Sequence, residues 1–205
     1  MPPDEYIGIL QRYLEGVKLQ TDASNVQRVI SLDLWDFAGQ HLYYASYPVF
    51  LSLRAVYMLV YNLSKGLKQP AQPCVGQNGQ EIPLENPSQE TNVENMLSWL
   101  ATICTMCWSE KEKDEGKAIA EGQKYLRPPV FIVGTHADSP YEDIKDMESQ
   151  IQEEIKGMKF NSHVIAFHAV DNKKGSNDER LAALKNHLIE VLKKEPYMGK
   201  EIPLR

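Results

Sequence analysis

The sequence predicts an α/β fold, a mostly parallel sheet covered on both faces by helices. Three observations carry that expectation. Residues 54–61 and 129–134 are short, nearly continuous apolar runs, the pattern of strands buried on both faces of a parallel sheet. Segments with apolar residues at helical spacing lie between and after them, so strands and helices alternate along the chain. The short motifs that could carry chemistry stand just past predicted strands, where open α/β sheets bind ligands.

The elements follow in order. Residues 5–17 place Ile7, Ile9, Leu10 and Leu14 at a weak helical spacing, and residues 20–25 form a polar turn. Residues 26–36 alternate like a strand, with Trp35 expected in the core. Residues 41–53 hold Tyr43, Tyr44, Tyr47 and Phe50 and suit a loop with a short helix. The strand at 54–61 is closed by Asn62-Leu63-Ser64-Lys65-Gly66. Residues 68–92, rich in Pro, Gln, Asn and Gly, read as a long exposed insertion or a disordered loop. A helix is expected over 94–108, then a charged, solvated stretch over 109–124. After the buried-type strand at 129–134, residues 141–158 form an amphipathic helix with Ile144, Met147, Ile151 and Ile155 on one face. Residues 163–167 are a third strand. Asn177-Asp178-Glu179 then caps a last helix carrying Leu181, Leu184, Leu188, Val191 and Leu192.

Composition narrows the class. A chain of 205 residues with 42% hydrophobic and 24% charged residues suits one globular domain. The net charge of −6 argues against nucleic acid or an anionic membrane as the main partner. No apolar run approaches the roughly 20 residues that span a bilayer. The start, Met1-Pro2-Pro3-Asp4-Glu5, lacks the features of a signal peptide, so a cytoplasmic location is expected. Cys104 and Cys107 form a C-x-x-C inside an apolar helical run with no second pair to complete a zinc site. They are read as small buried residues. His41, His163, His168 and His187 show no metal-ligand spacing and are read as structural or exposed.

Two motifs point to nucleotide chemistry. Trp35-Asp36-Phe37-Ala38-Gly39-Gln40 ends a predicted strand. Asp36 could hold a magnesium-bound water, and Gly39 lets the backbone approach a terminal phosphate. Gln40 is the residue type that orients an attacking water. The second motif, Thr135-His136-Ala137-Asp138, follows the strand at 129–134. A carboxylate there can accept two parallel hydrogen bonds from guanine N1–H and the 2-amino group, a donor pair that adenine lacks. His136 could pack on the base. On its own, Asp138 could equally cap a helix opened by Ser139-Pro140. The two motifs together favour guanine.

These stretches, with Tyr43-Tyr44 and residues 54–66, resemble the Roc domain of Roco proteins. That is the Ras-like GTPase module of leucine-rich-repeat kinases and death-associated protein kinase, some of whose members carry Thr-His-x-Asp for the commoner Asn-Lys-x-Asp. The resemblance implies a Ras-like P-loop GTPase fold in three layers. It implies Mg and GTP or GDP as ligands, with Thr135, His136 and Asp138 at the base. Phe167-His168-Ala169-Val170-Asp171-Asn172 is similar to the family's base-contacting loop, so Val170, Asp171 and Asn172 join the expected site. Residues 199–205 resemble the entry to a COR domain, implying a COR-like neighbour and allowing a dimer. Other proteins could meet the aromatic residues of the switch region.

One departure matters. The phosphate-binding pattern G-x-x-x-x-G-K-[ST] does not occur, and Leu14 stands where the family usually has a Thr. The expected organisation is a segment of unassigned structure over 1–14 and a truncated Roc GTPase-like domain over 15–197, incomplete at its N-terminus, with the polar insertion at 68–92. The start of a COR-like connection follows at 198–205. Each lost charge-assisted bond weakens binding by about 1.5–3 kcal/mol, so this polypeptide alone is expected to bind GTP poorly and hydrolyse it negligibly. Two functions stand side by side: a GTPase switch, or a non-catalytic Roc remnant that serves as an interaction module.

Overall fold

The computed structural model describes residues 34–37, 50–77, 80–106 and 125–198. The chain divides into two compact units, residues 1–37 with 199–205, and residues 38–198. In the first unit the described residues are Leu34 to Phe37, which form no regular secondary structure. The end of the strand expected over 26–36 is therefore irregular, and its earlier residues lie outside the described ones. Trp35 is 62% exposed, not in a core.

Among its described residues the second unit holds a parallel three-stranded sheet. Its strands are β1 (Tyr57–Asn62), β4 (Val130–Thr135) and β5 (Val164–Ala169), in the order β1-β4-β5. Tyr57 pairs with Val130 at one end and Asn62 with Thr135 at the other. Parallel neighbours need crossovers long enough for helices. The described helices are α1 (Asn92–Met106), α2 (Ile144–Ile155) and α3 (Glu179–Lys194).

The helices lie on opposite faces. Leu100 and Ile103 of α1 and Met147, Ile151 and Ile155 of α2 form one core cluster with Leu59, Val130 and Ile132. Leu184 and Val191 of α3 cluster with Phe131 and Val133. Successive residues of β4 thus serve opposite layers, and Val130, Phe131 and Ile132 are fully buried. The helix expected over 141–158 is α2, shorter at both ends, with three of its four predicted apolar positions buried.

β1 departs from the expectation of burial on both faces. Met58 is 41% and Val60 59% exposed. They pair with Phe131 and Val133, so they lie on the face that α3 covers. That helix packs over β4 and β5 and leaves this part of β1 open.

The insertion at 68–92 is more ordered than its composition suggests. It contains an antiparallel hairpin of β2 (Cys74–Gln77) and β3 (Gln80–Pro83). At the hairpin's base Pro70 bridges to Thr91, and the Asn86 amide donates to the carbonyls of Ala71 at 3.0 Å and Glu90 at 2.8 Å. A polar side chain here replaces the missing apolar anchor, tying backbone groups that would otherwise need water. α1 then opens on a capping box. The Glu94 N–H donates to Thr91 Oγ1, and Glu94 Oε2 accepts from the Thr91 N–H at 2.8 Å. Cys104 is buried on α1, while Cys107 lies outside the described residues.

Candidate functional site

The carboxyl ends of β4 and β5 turn into two loops that touch. Gly134, near the end of β4, lies against Leu63, which follows β1. A Cβ at Gly134 would stand 2.7 Å from Leu63 Cγ. Leu63 is fully buried and cannot move aside freely. Gly134→Ala is therefore expected to destabilise the fold by about 1–3 kcal/mol, the usual cost of overpacking a filled core, read as a lowered thermal midpoint.

The backbone links the loops directly. The Val170 N–H donates to the Gly134 carbonyl at 2.8 Å, and the Ala137 N–H donates to the Val170 carbonyl at 3.1 Å. Thr135 Oγ1 donates to the Tyr61 carbonyl at 3.3 Å and lies 3.0 Å from His136 Nδ1. His136 holds a φ of 60°, a left-handed conformation uncommon outside Gly. It bends the chain so that Ser139 N–H reaches the His136 carbonyl at 3.0 Å, and Asp138 stands at the crest of the turn.

Asp138 does not cap a helix. α2 begins later, and its cap is Asp143, which accepts the Lys145 N–H at 2.9 Å. The Asp138 carboxylate instead accepts from Lys173 Nζ at 2.6 Å. That hydrogen bond, ahead of its own backbone N–H and the charges of Lys173 and His136, holds Asp138 below the ordinary carboxyl range.

The second loop is built by two buried aspartates. Asp171 accepts the Lys173 N–H at 3.0 Å and lies 3.8 Å from Lys174 Nζ. Asp178 accepts the Asp171 N–H at 2.8 Å through Oδ2 and the Arg180 N–H at 3.2 Å through Oδ1. It thus caps α3 and pins the loop together. Of the residues expected at the base, Val170 is buried in the core, Asp171 serves the loop's own backbone, and Asn172 is exposed.

These two N–H bonds depress the Asp178 pKa below its ordinary 3.8, the Asp171 bond most. A depressed acid stabilises the fold above its unfolded pKa and loses that contribution as pH falls through the folded one. Asp178→Asn keeps only one acceptor oxygen for two N–H groups. The variant is expected to be less stable than the parent at pH 7, with the gap shrinking as pH falls below about 4, in urea unfolding across that range.

Lys173 and the second duty of Asp178 escaped the sequence reading. Asp36 is exposed in the first unit. Leu14, Gly39, Gln40, Tyr43, Tyr44 and Tyr47 lie outside the described residues. Among the described residues no three His, Cys, Asp or Glu side chains gather as a metal site. No described helix is long and apolar enough to cross a membrane.

Comparison with known proteins shows what this chain is similar to. Residues 7–75 match the family model described as "Ras of Complex, Roc, domain of DAPkinase". "Probable serine/threonine-protein kinase pats1" of Dictyostelium discoideum is 24% identical over 174 residues, covering 85% of this chain and 4% of that protein. "Probable serine/threonine-protein kinase roco5" of the same organism is 26% identical over 172 residues, 83% of this chain and 4% of that protein. "Probable serine/threonine-protein kinase roco6", also from Dictyostelium discoideum, is 45% identical over 40 residues, 20% of this chain and 2% of that protein. The chain thus spans only about 4% of the length of the first two relatives. Residues 7–75 are thus similar to the Roc domain, most of the chain is similar to Roco-type kinases, and the described strands and helices form an α/β fold around a parallel sheet.

Proposed function

We propose that this chain is the guanine-nucleotide-binding part of a Roco-type signalling protein, in which GTP hydrolysis acts as a conformational switch. Asp138 reads guanine through N1–H and the 2-amino group. Thr135 and His136 shape the turn that presents it, and the loop of Val170, Asp171 and Asn172 borders the base. Asp36 serves magnesium through a water, Gly39 the terminal phosphate, and Gln40 the attacking water. Nucleotide turnover changes the contact of the residues after Gly39 with a COR-like neighbour. The setting is cytoplasmic.

The observation that supports this reading most is the meeting of the β4 and β5 loops at the carboxyl rim of a parallel sheet. There the Ala137 and Val170 backbones are joined and Asp138 is free of any helix-capping duty. Rims of this kind hold nucleotides in open α/β sheets. A second reading, a non-catalytic interaction module, draws support from exposed Met58 and Val60.

The deciding experiment titrates the protein with fluorescent GDP and magnesium, and repeats it with Asp138→Asn. Saturable binding that the variant loses supports the switch. Absence of binding by the parent at millimolar nucleotide supports the interaction module.

A further inference from the structure

Lys173 has no place in the nucleotide reading, yet it makes the shortest ion pair among the described residues, 2.6 Å from Nζ to Asp138 Oδ2. Its backbone is fixed. The Lys173 N–H is held by Asp171, whose own N–H is held by Asp178. Its side chain is 75% exposed, while that of Asp138 is 23% exposed. An internally hydrogen-bonded loop therefore presents an exposed ammonium to one oxygen of the carboxylate. Guanine needs both oxygens of that carboxylate, one for N1–H and one for the 2-amino group. The ammonium takes up part of the acceptor capacity of an oxygen on which the purine edge would also draw.

We infer that Lys173 is a displaceable occupant of the guanine-reading carboxylate: its ammonium pairs with Asp138 Oδ2 and competes with a guanine edge for that oxygen. The inference rests on the nucleotide reading of Asp138 given above. Its physical content is a competition between an exposed ion pair and a ligand. Exposed pairs are weak, so the competition is mild and tunable, equivalent to a factor of about two to five in affinity. Salt screens the pair and frees the carboxylate. A neutral ligand such as guanosine isolates this effect, because it carries no phosphate charge for salt to screen.

The test titrates guanosine into the parent, Lys173→Met and Asp138→Asn, following backbone amide shifts by NMR, at about 0.05 M and about 0.5 M salt. Lys173→Met is expected to bind about two- to five-fold more tightly than the parent at low salt. The parent should gain affinity at high salt while the Met variant stays flat. In the same samples the Asp138 carboxyl should titrate closer to its ordinary value once Lys173 is gone. Equal or weaker binding by Lys173→Met, with Asp138→Asn still losing it, overturns the competition and leaves the nucleotide reading standing. Absence of guanosine binding by all three folded proteins overturns both.

Discussion

Phe131→Ala is expected to lower stability by about 3–5 kcal/mol, the usual loss for truncating a fully buried aromatic side chain. Phe131 is completely buried near the start of β4, the strand that runs between β1 and β5. Its ring meets His187 edge-on at 5.1 Å and lies 5.9 Å from His168, the two imidazoles being joined by a 3.1 Å nitrogen contact. The cavity left by the deletion would border both the α3 core and this polar pair. Collapse cannot fill it, because the sheet fixes β4 on both sides. A typical domain has only about 5–15 kcal/mol to lose, so the thermal midpoint should fall by about 10 °C or more. Val60→Ala on the same face of the sheet is the control. Its side chain is 59% exposed, so the expected change is within about 0.5 kcal/mol. Circular-dichroism melts of the two variants side by side check the pair; an equal fall in both would mean that α3 does not cover β4 selectively.

The contrast between these residues also shows what the sequence could and could not reveal. Residues 54–61 and 129–134 read alike as apolar runs, and only the second is buried on both faces. Burial of a strand depends on which helix crosses it, and α3 reaches β4 and β5 but not Met58 and Val60. Periodicity within one segment carries no information about that reach. The helices were legible because Met147, Ile151 and Ile155, and Leu184 and Val191, repeat at the spacing that their burial requires.

Two local signals were present and outweighed by composition. Asn78-Gly79 stands between two four-residue strands, the dipeptide that favours tight hairpins. Thr91 precedes Glu94 by three residues, the spacing of a capping box. The first lies within, and the second at the end of, a stretch whose Pro, Gln and Asn content reads as an exposed insertion or a disordered loop. The Asp138 turn was legible because its neighbours name their chemistry. Lys173 was not, since Lys173-Lys174 in sequence is an ordinary solvated pair. Its role follows only from the distance between two loops that lie 35 positions apart in the chain.

Asp138→Asn should exchange one purine for another rather than merely weaken binding. The carboxylate offers acceptors to both N1–H and the 2-amino group of guanine. An amide keeps one acceptor and turns the other position into a donor, which then faces a donor on guanine. A buried or half-enclosed donor pair of this kind is rejected strongly, so guanine affinity should fall by about a hundredfold or more. Xanthine differs from guanine in carrying a carbonyl in place of the 2-amino group. The Asn amide would donate to that carbonyl and accept from N1–H, restoring both bonds. Competition between xanthosine and guanosine diphosphates for the variant and its parent reads the exchange directly. The variant also removes the ion pair of Lys173, so its binding of the neutral nucleoside xanthosine, titrated separately, should lack the salt dependence expected of guanosine binding by the parent. Loss of guanine binding without any gain for xanthine would mean that Asp138 holds the turn instead of reading the base. In that case the short contact to Lys173 is a structural clasp between the β4 and β5 loops, and the base lies against other residues of the rim.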